Sequence, residues 1–277
     1  TDALNAVALI GRAQIRQAEA GGDQAALEFY RQAVQDYPAT ASYLRALIGQ
    51  ADTRAKLGYH PDALEDFAEA INIVRRRHGG TGPMLTLVES IILSQFDLNF
   101  DRSEYGLALD YLNCLQPFYP DSKSVPSSLL GRFADTHEHF ALKRREDARA
   151  MMQGGQGGKA ISEPALRLAN IEAAEHFALA ADYYHRHAAS VSGLDEQLHG
   201  QSLWKSATNY DAAERWSDAI GVYQEYVQTR PQDPLYHKAV QNLGLAYMAE
   251  GQCQDAADQF LNLIYDPVMR NSQETYN

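Results

Sequence analysis

Cysteine is scarce: two in 277 residues, Cys114 and Cys253. A disulfide-stapled framework is therefore excluded. The two fall in different repeat units, so both are expected as free thiols, and cysteine does not decide the compartment. Basic charge is also short. Lys and Arg number 24 against 36 Asp and Glu, a formal net charge of -12. A protein whose main task is nucleic-acid binding carries a basic excess, so no nucleic-acid partner is expected. No run approaches the ~18 apolar residues of a membrane span, so direct membrane insertion is not expected. No Gly-x-Ser-x-Gly elbow, His-Glu-x2-His helix or Cys-x2-Cys pair occurs. Common hydrolase, zinc-peptidase and redox signatures are thus missing. The chain starts at Thr1 without Met and ends at Asn277, about where a further helix would begin. A piece of a longer protein is expected.

What is present is helical periodicity. Apolar residues make up 45% and charged residues 22%, a balance that supports a folded core over wholesale disorder. Residues 3–38 predict a first helix pair. Leu9, Ala13 and Ala20 suit one helix, Gly21, Gly22 and Asp23 break it, and Ala26, Tyr30 and Ala33 begin the next, which ends at Pro38. Residues 42–78 repeat the plan with Leu47, Ala51, Leu57, the turn Gly58-Tyr59-His60, Pro61 at a favoured first helical position, then Ala63, Phe67 and Ala70. Residues 84–120 predict a third pair, with Ala108, Leu112, Leu115 and Pro120.

A long helix is expected over 126–152, with Leu130, Phe133, His137, Phe140 and Ala141 as its apolar stripe. Another covers about 164–189, with Ala173, Phe177 and Ala180 at the second-helix spacing. The glycine-rich stretch 153–158 separates them. Residues 203–231 and 235–267 predict two further pairs. In the last, Leu243, Gly244 and Tyr247 fall in one helix, Ala256 and Phe260 in the next, and Pro267 closes the unit. The preceding pair carries Tyr210, Ala219, Tyr223 and Pro231.

This pattern resembles the tetratricopeptide repeat, L-G-x2-Y…A-x3-F…P. The small residue lets two helices approach, and the aromatic one turn later lies on the same face. Ala26 to Ala63 and Ala219 to Ala256 are both 37 residues apart, so the spacing recurs at both ends of the chain. The resemblance implies an all-α, right-handed α-solenoid of about six helix–turn–helix repeats with an irregular middle. Three segments are expected: N-terminal repeats over 1–125, an enlarged irregular unit over 126–193, and C-terminal repeats over 194–277. Phe118-Tyr119-Pro120-Asp121-Ser122 also resembles repeat junctions in bacterial envelope proteins, which implies a periplasmic or envelope location.

No catalytic constellation emerges. Gly154 to Lys159 fails the phosphate-loop spacing, and Ala160 stands where a hydroxyl is required. His137 and His139, or His185 and His187, point about 200° apart on a helix and cannot chelate together. They read as surface or helix-end histidines. Asp182-x2-His185 and Glu196-x2-His199 do share faces, which supports an alternative, a metal-dependent helical enzyme. The segment between Gly193 and Gly200 is read as short. Arg75-Arg76-Arg77 and Lys143-Arg144-Arg145 read as solvated helix faces.

In tetratricopeptide repeats the first helices of successive pairs line a concave groove that binds peptides. The resemblance therefore implies a partner-binding set of Arg12, Arg45, Asp52, Trp204, Lys205, Asp211, Lys238 and Asn242. A carboxylate-clamp variant needs ordered Lys and Asn residues across three adjacent repeats, which Lys205, Lys238 and Asn242 do not reproduce. Trp204 lies one place from the family's buried Trp, so core and groove readings both stand. The expected function is a non-catalytic scaffold for a protein or peptide partner, with no cofactor and no resident metal. Self-assembly as a homo-oligomer is a third reading. If the cations share one concavity, it is less acidic than the outer surface and suits a partly negative peptide with an apolar anchor.

Overall fold

The computed structural model describes residues 1–78, 82–121, 124–155 and 163–265. Among them are twelve α-helices, one 3-10 turn over 116–118, and no strand. The helices form six successive pairs. The first three pairs are α1 (Asp2–Gln17) with α2 (Asp23–Asp36), α3 (Tyr43–Lys56) with α4 (His60–His78), and α5 (Pro83–Asp101) with α6 (Tyr105–Leu115). The next three are α7 (Ser127–Gly155) with α8 (Glu163–Val191), α9 (Glu196–Ala212) with α10 (Trp216–Thr229), and α11 (Tyr236–Ala249) with α12 (Cys253–Tyr265). The phosphate-loop candidate over 154–160 lies largely outside the described residues.

The repeat positions do what their chemistry demands. Ala26, Ala63, Ala219 and Ala256 are all buried, as are the aromatic residues Tyr30, Phe67 and Tyr223 one turn later. Phe260 is partly buried against the same cluster as Ala256. Gly244 admits a close approach: a Cβ there would come 2.7 Å from the Phe260 ring. The turn inside several pairs needs a left-handed residue. Gly21, Gly58 and Gly251 supply it without strain, whereas Ser103 and Glu214 adopt φ of 60° and 58° with a side chain.

The chain divides into two compact units, Thr1–Ser124 and Val125–Asn277. The long helices α7 and α8 belong to the second unit, where α8 packs on α9. Within each unit, neighbouring helices along the chain pack on one another, so the core is built from short-range contacts. In the second unit that core runs through Ala181, Leu203, Ala207, Tyr223, Tyr226, Leu243 and Ala256.

One boundary differs from expectation. Gly200 does not break the chain; α9 begins at Glu196 and runs through it. The Asp195 side chain caps the helix by accepting from the Leu198 N–H at 2.9 Å. Gly200 is small for a tertiary reason, because a Cβ there would meet the Arg230 guanidinium at 2.6 Å.

Candidate partner-binding site

The second unit gathers five of the eight expected contact residues on and beside α9. Helix α9 turns Lys205 and Asn209 toward α7. It turns Trp204 and Asp211 toward α10 and α11. Those directions follow from the 100° step of the helix.

On the α10–α11 side, Trp204 is half-buried. Its ring meets Tyr223 and Tyr226 edge-on, at centroid distances of 6.2 and 5.9 Å. The Lys238 ammonium lies 5.6 Å above the Trp204 ring, a cation–π arrangement. Trp204 therefore packs against the core cluster without being fully buried. Asp211 accepts a 2.6 Å bond from the Tyr223 hydroxyl, which in turn accepts from Asn242 Nδ2 at 3.0 Å. Burial raises the Asp211 pKa, with the Tyr223 bond opposing it. Burial and Asp211 together push the Tyr223 phenol well above its ordinary value.

On the α7 side, Lys205 is less available than its sequence position implied. Its ammonium donates to Asp135 at 3.0 Å and to Glu138 at 3.1 Å, and lies 2.7 Å from the Tyr184 hydroxyl. The Tyr184 hydroxyl, with one proton to donate, lies 2.5 Å from Asp135 Oδ1 and 2.6 Å from Glu138 Oε2. Burial works against the charged amine, but Asp135 and Glu138 outweigh it and the Lys205 pKa is raised. Two carboxylates face one ammonium, so this seam carries no net positive charge. Asp182 of α8 accepts from the Tyr210 hydroxyl of α9. Lys238 is exposed, whereas Lys205 is held by two carboxylates.

Sequence reading assigned Asp135 and Glu138 no role, placed Tyr184 with Ala173, Phe177 and Ala180 on one face of the 164–189 helix, where it is indeed buried, and left out two apolar residues of α11. Leu245 and Met248 are 50% and 55% exposed. Lys238, Asn242 and Leu245 follow at i, i+4 and i+7, and Met248 is one turn beyond Leu245, so they share one helical face. A helical-wheel reading of α11 shows that face; its exposure is visible only once α12 and α10 are in place.

In the first unit Arg12 and Arg45 are exposed. Asp52 is engaged: it pairs with Lys56 at 2.7 Å and accepts from Gln95 Nε2 at 3.0 Å. It therefore ties α3 to α5.

The residues of the metal-enzyme alternative do not converge on one point, although Glu196 and His199 share Arg230. Asp182 bonds Tyr210, His185 lies 3.0 Å from Glu225, and His199 lies 3.1 Å from Arg230. Among the described residues no three His, Cys, Asp or Glu side chains form a metal-holding group.

The surface reading of the histidines is also corrected. His137 is buried, with its Nδ1 2.7 Å from that of His176 across α7 and α8. His187 is buried against the Ser202 hydroxyl at 2.8 Å. His137 belongs to the apolar stripe of α7 because the long α8 covers that stripe.

No protein-family model and no curated protein matches the chain. Among solved structures it is similar to a Podosopora anserina kinesin light chain with nearly identical TPR-like repeats. The identity there is 16% over 85% of this chain and 97% of that one, with a TM-score of 0.38. It is also similar to BtubC (BKLC) from P. vanneervenii, at 15% identity, 93% and 91% coverage and TM-score 0.36. A tetratricopeptide repeat protein from Parabacteroides merdae ATCC 43184 matches at 14% identity, 94% and 92% coverage and TM-score 0.32. By its own helix pairs and repeat positions, this chain has a fold similar to that of tetratricopeptide-like repeat proteins.

Proposed function

We propose that the chain is a non-catalytic protein-interaction scaffold whose second unit docks a peptide segment along the exposed face of α9 and α11. Stacked helical repeats of this type generally serve protein interaction. The observation that carries the finer reading is the arrangement around Trp204. A half-buried aromatic is capped by Lys238, and the same face of α11 exposes Leu245 and Met248 about 10 and 15 Å further along the helix. Half-buried Trp next to apolar side chains is the usual make-up of an interface anchor. Lys238 and Asn242 supply the polar rim. Lys205 acts there as a positioning residue, holding α9 to α7 through Asp135 and Glu138. The ligand favoured by this surface carries an aliphatic anchor and one acidic group opposite Lys238. Arg12 and Arg45 are proposed as contacts of a separate surface on the first unit, with Asp52 as their structural support.

The test is site-specific photo-crosslinking in the full chain. A photoreactive residue at Met248 is expected to capture a protein partner, and one at the exposed Gln228 of α10 is not. Trp204→Ala should abolish capture from Met248 while circular dichroism stays helical. Equal capture from both positions, or capture unaffected by Trp204→Ala, would reject this docking face. A turnover abolished by a single point substitution would reject the non-catalytic reading.

A further inference from the structure

At the C-terminal end of α9, away from Trp204, the second unit holds an open cavity of about 690 Å³. Ligand pockets span ~300–1,000 Å³. Leu166, Ile171 and Ala174 of α8 form apolar walls, and Arg145 of α7 and Arg167 of α8 both line the cavity.

Arg145 is held in place. Its Nη2 donates to the Ala212 carbonyl oxygen at 2.8 Å, and its guanidinium lies 4.3 Å over the Phe177 ring. Other arginines around it have acid partners: Arg144 meets Glu172 at 2.9 Å and Arg167 meets Glu163 at 3.6 Å. No ion pair within 4.0 Å engages Arg145 among the described residues. Burial lowers its pKa, Arg149 adds to the effect, and Glu214 on the cavity rim opposes it. A half-buried cation without a paired anion is unfavourable, and a guanidinium fork matches a carboxylate in two-point geometry. One nitrogen is taken by Ala212, which leaves further N–H donors for a ligand. Glu163, Glu214 and Arg167 also line the cavity, so its two acids and two arginines balance and the lining has no cationic excess to hold a polyanion.

We infer that this cavity binds a monocarboxylate carried on a short branched aliphatic chain, with the carboxylate on Arg145 and the chain against Leu166, Ile171 and Ala174. The group can belong to a free acid or to the C-terminus of a peptide.

The experiment titrates the full chain with 4-methylpentanoate, followed by NMR shifts, and with its uncharged amide. A second arm compares a peptide ending in Leu as the free acid and as the amide. Saturable binding of the acid near 1 mM, about what so small a ligand reaches, is expected, with none for the amide. Tighter binding of the free-acid peptide than of 4-methylpentanoate assigns the group to a peptide terminus; equal or weaker binding assigns it to a free acid. Arg145→Gln should weaken the acid at least tenfold. Because Arg145 also ties α7 to α9, Ala174→Trp serves as a second variant that fills the cavity and leaves that tie intact. It should abolish binding. Absence of saturation by either acid, equal binding of acid and amide, or a folded Ala174→Trp that binds like the parent would overturn the inference.

Discussion

The Lys238 ammonium lies 5.6 Å above the centroid of the Trp204 ring and so couples α11 to α9. The two residues carry different weights. Trp204 also packs on Tyr223 and Tyr226, whereas Lys238 is exposed. Trp204→Ala is expected to cost about 2 kcal/mol, less than a fully buried Trp because one edge is open. Lys238→Ala should cost about 0.5 kcal/mol, the scale of an exposed cation–π contact. Urea unfolding of the two variants measures both. A Lys238→Ala effect as large as that of Trp204→Ala would contradict the arrangement.

The seam between α7 and α9 predicts coupling. Lys205→Ala leaves Asp135 and Glu138 facing each other around Tyr184 without a cation. Since Lys205 and Asp135 are more than a third exposed, a loss of only about 1 kcal/mol is expected. Adding Glu138→Gln to Lys205→Ala should restore part of it. A double-mutant cycle in denaturant reads the coupling, and strict additivity would show that the contact contributes nothing.

The buried pair His137 and His176 predicts acid sensitivity. Burial, and then His176, push the His137 pKa down from 6.5 to about 3; burial likewise lowers that of His176, where Glu172 and Glu175 oppose and Arg144 assists. The folded state thus binds fewer protons than the unfolded state between those values. Stability should be complete above pH 6.5 and decline as pH falls toward 3. His137→Phe should flatten that decline, as read by thermal melts at stepped pH. An unchanged slope would exclude His137 as its source.

Gly49 in α3 predicts a steric penalty. A Cβ there would lie 2.4 Å from the Tyr30 ring, and Tyr30 is buried and bonded to Gln17 at 3.0 Å. Alanine gains about 1 kcal/mol of helix propensity over glycine. The overlap costs about 1–3 kcal/mol, and the anchored ring cannot swing away. Gly49→Ala should therefore lower stability, and Tyr30→Leu should relieve the penalty in the double variant. A stabilised Gly49→Ala chain would show that α2 and α3 can separate.

Glu214 predicts the opposite sign. It holds φ of 58° at a turn position where other pairs use Gly58 and Gly251. Glu214→Gly should raise stability by about 1 kcal/mol by removing the left-handed strain. A thermal melt checks this. A lower melting temperature would mean that the carboxylate near Arg145 outweighs the strain.

The sequence alone determined the helix pairs and much of their core. Ala26, Tyr30, Ala63, Phe67, Ala219 and Tyr223 are legible because a helix repeats every 3.6 residues and partner helices adjoin in the chain. Spacing then reports packing directly. It also placed Trp204, Asp211, Lys238 and Asn242 on adjoining helices of one repeat neighbourhood. Tertiary structure decided what those side chains touch. Lys205 meets Glu138 across 67 residues of chain, and His137 meets His176 across 39. Gly200, read as the end of a short segment, lies inside α9, and the Arg230 guanidinium fills the space a Cβ there would take. Local periodicity assigns a residue to a helix face. Whether that face meets an acid, an aromatic ring or solvent depends on the neighbouring helix, whose register and offset no short stretch of sequence encodes.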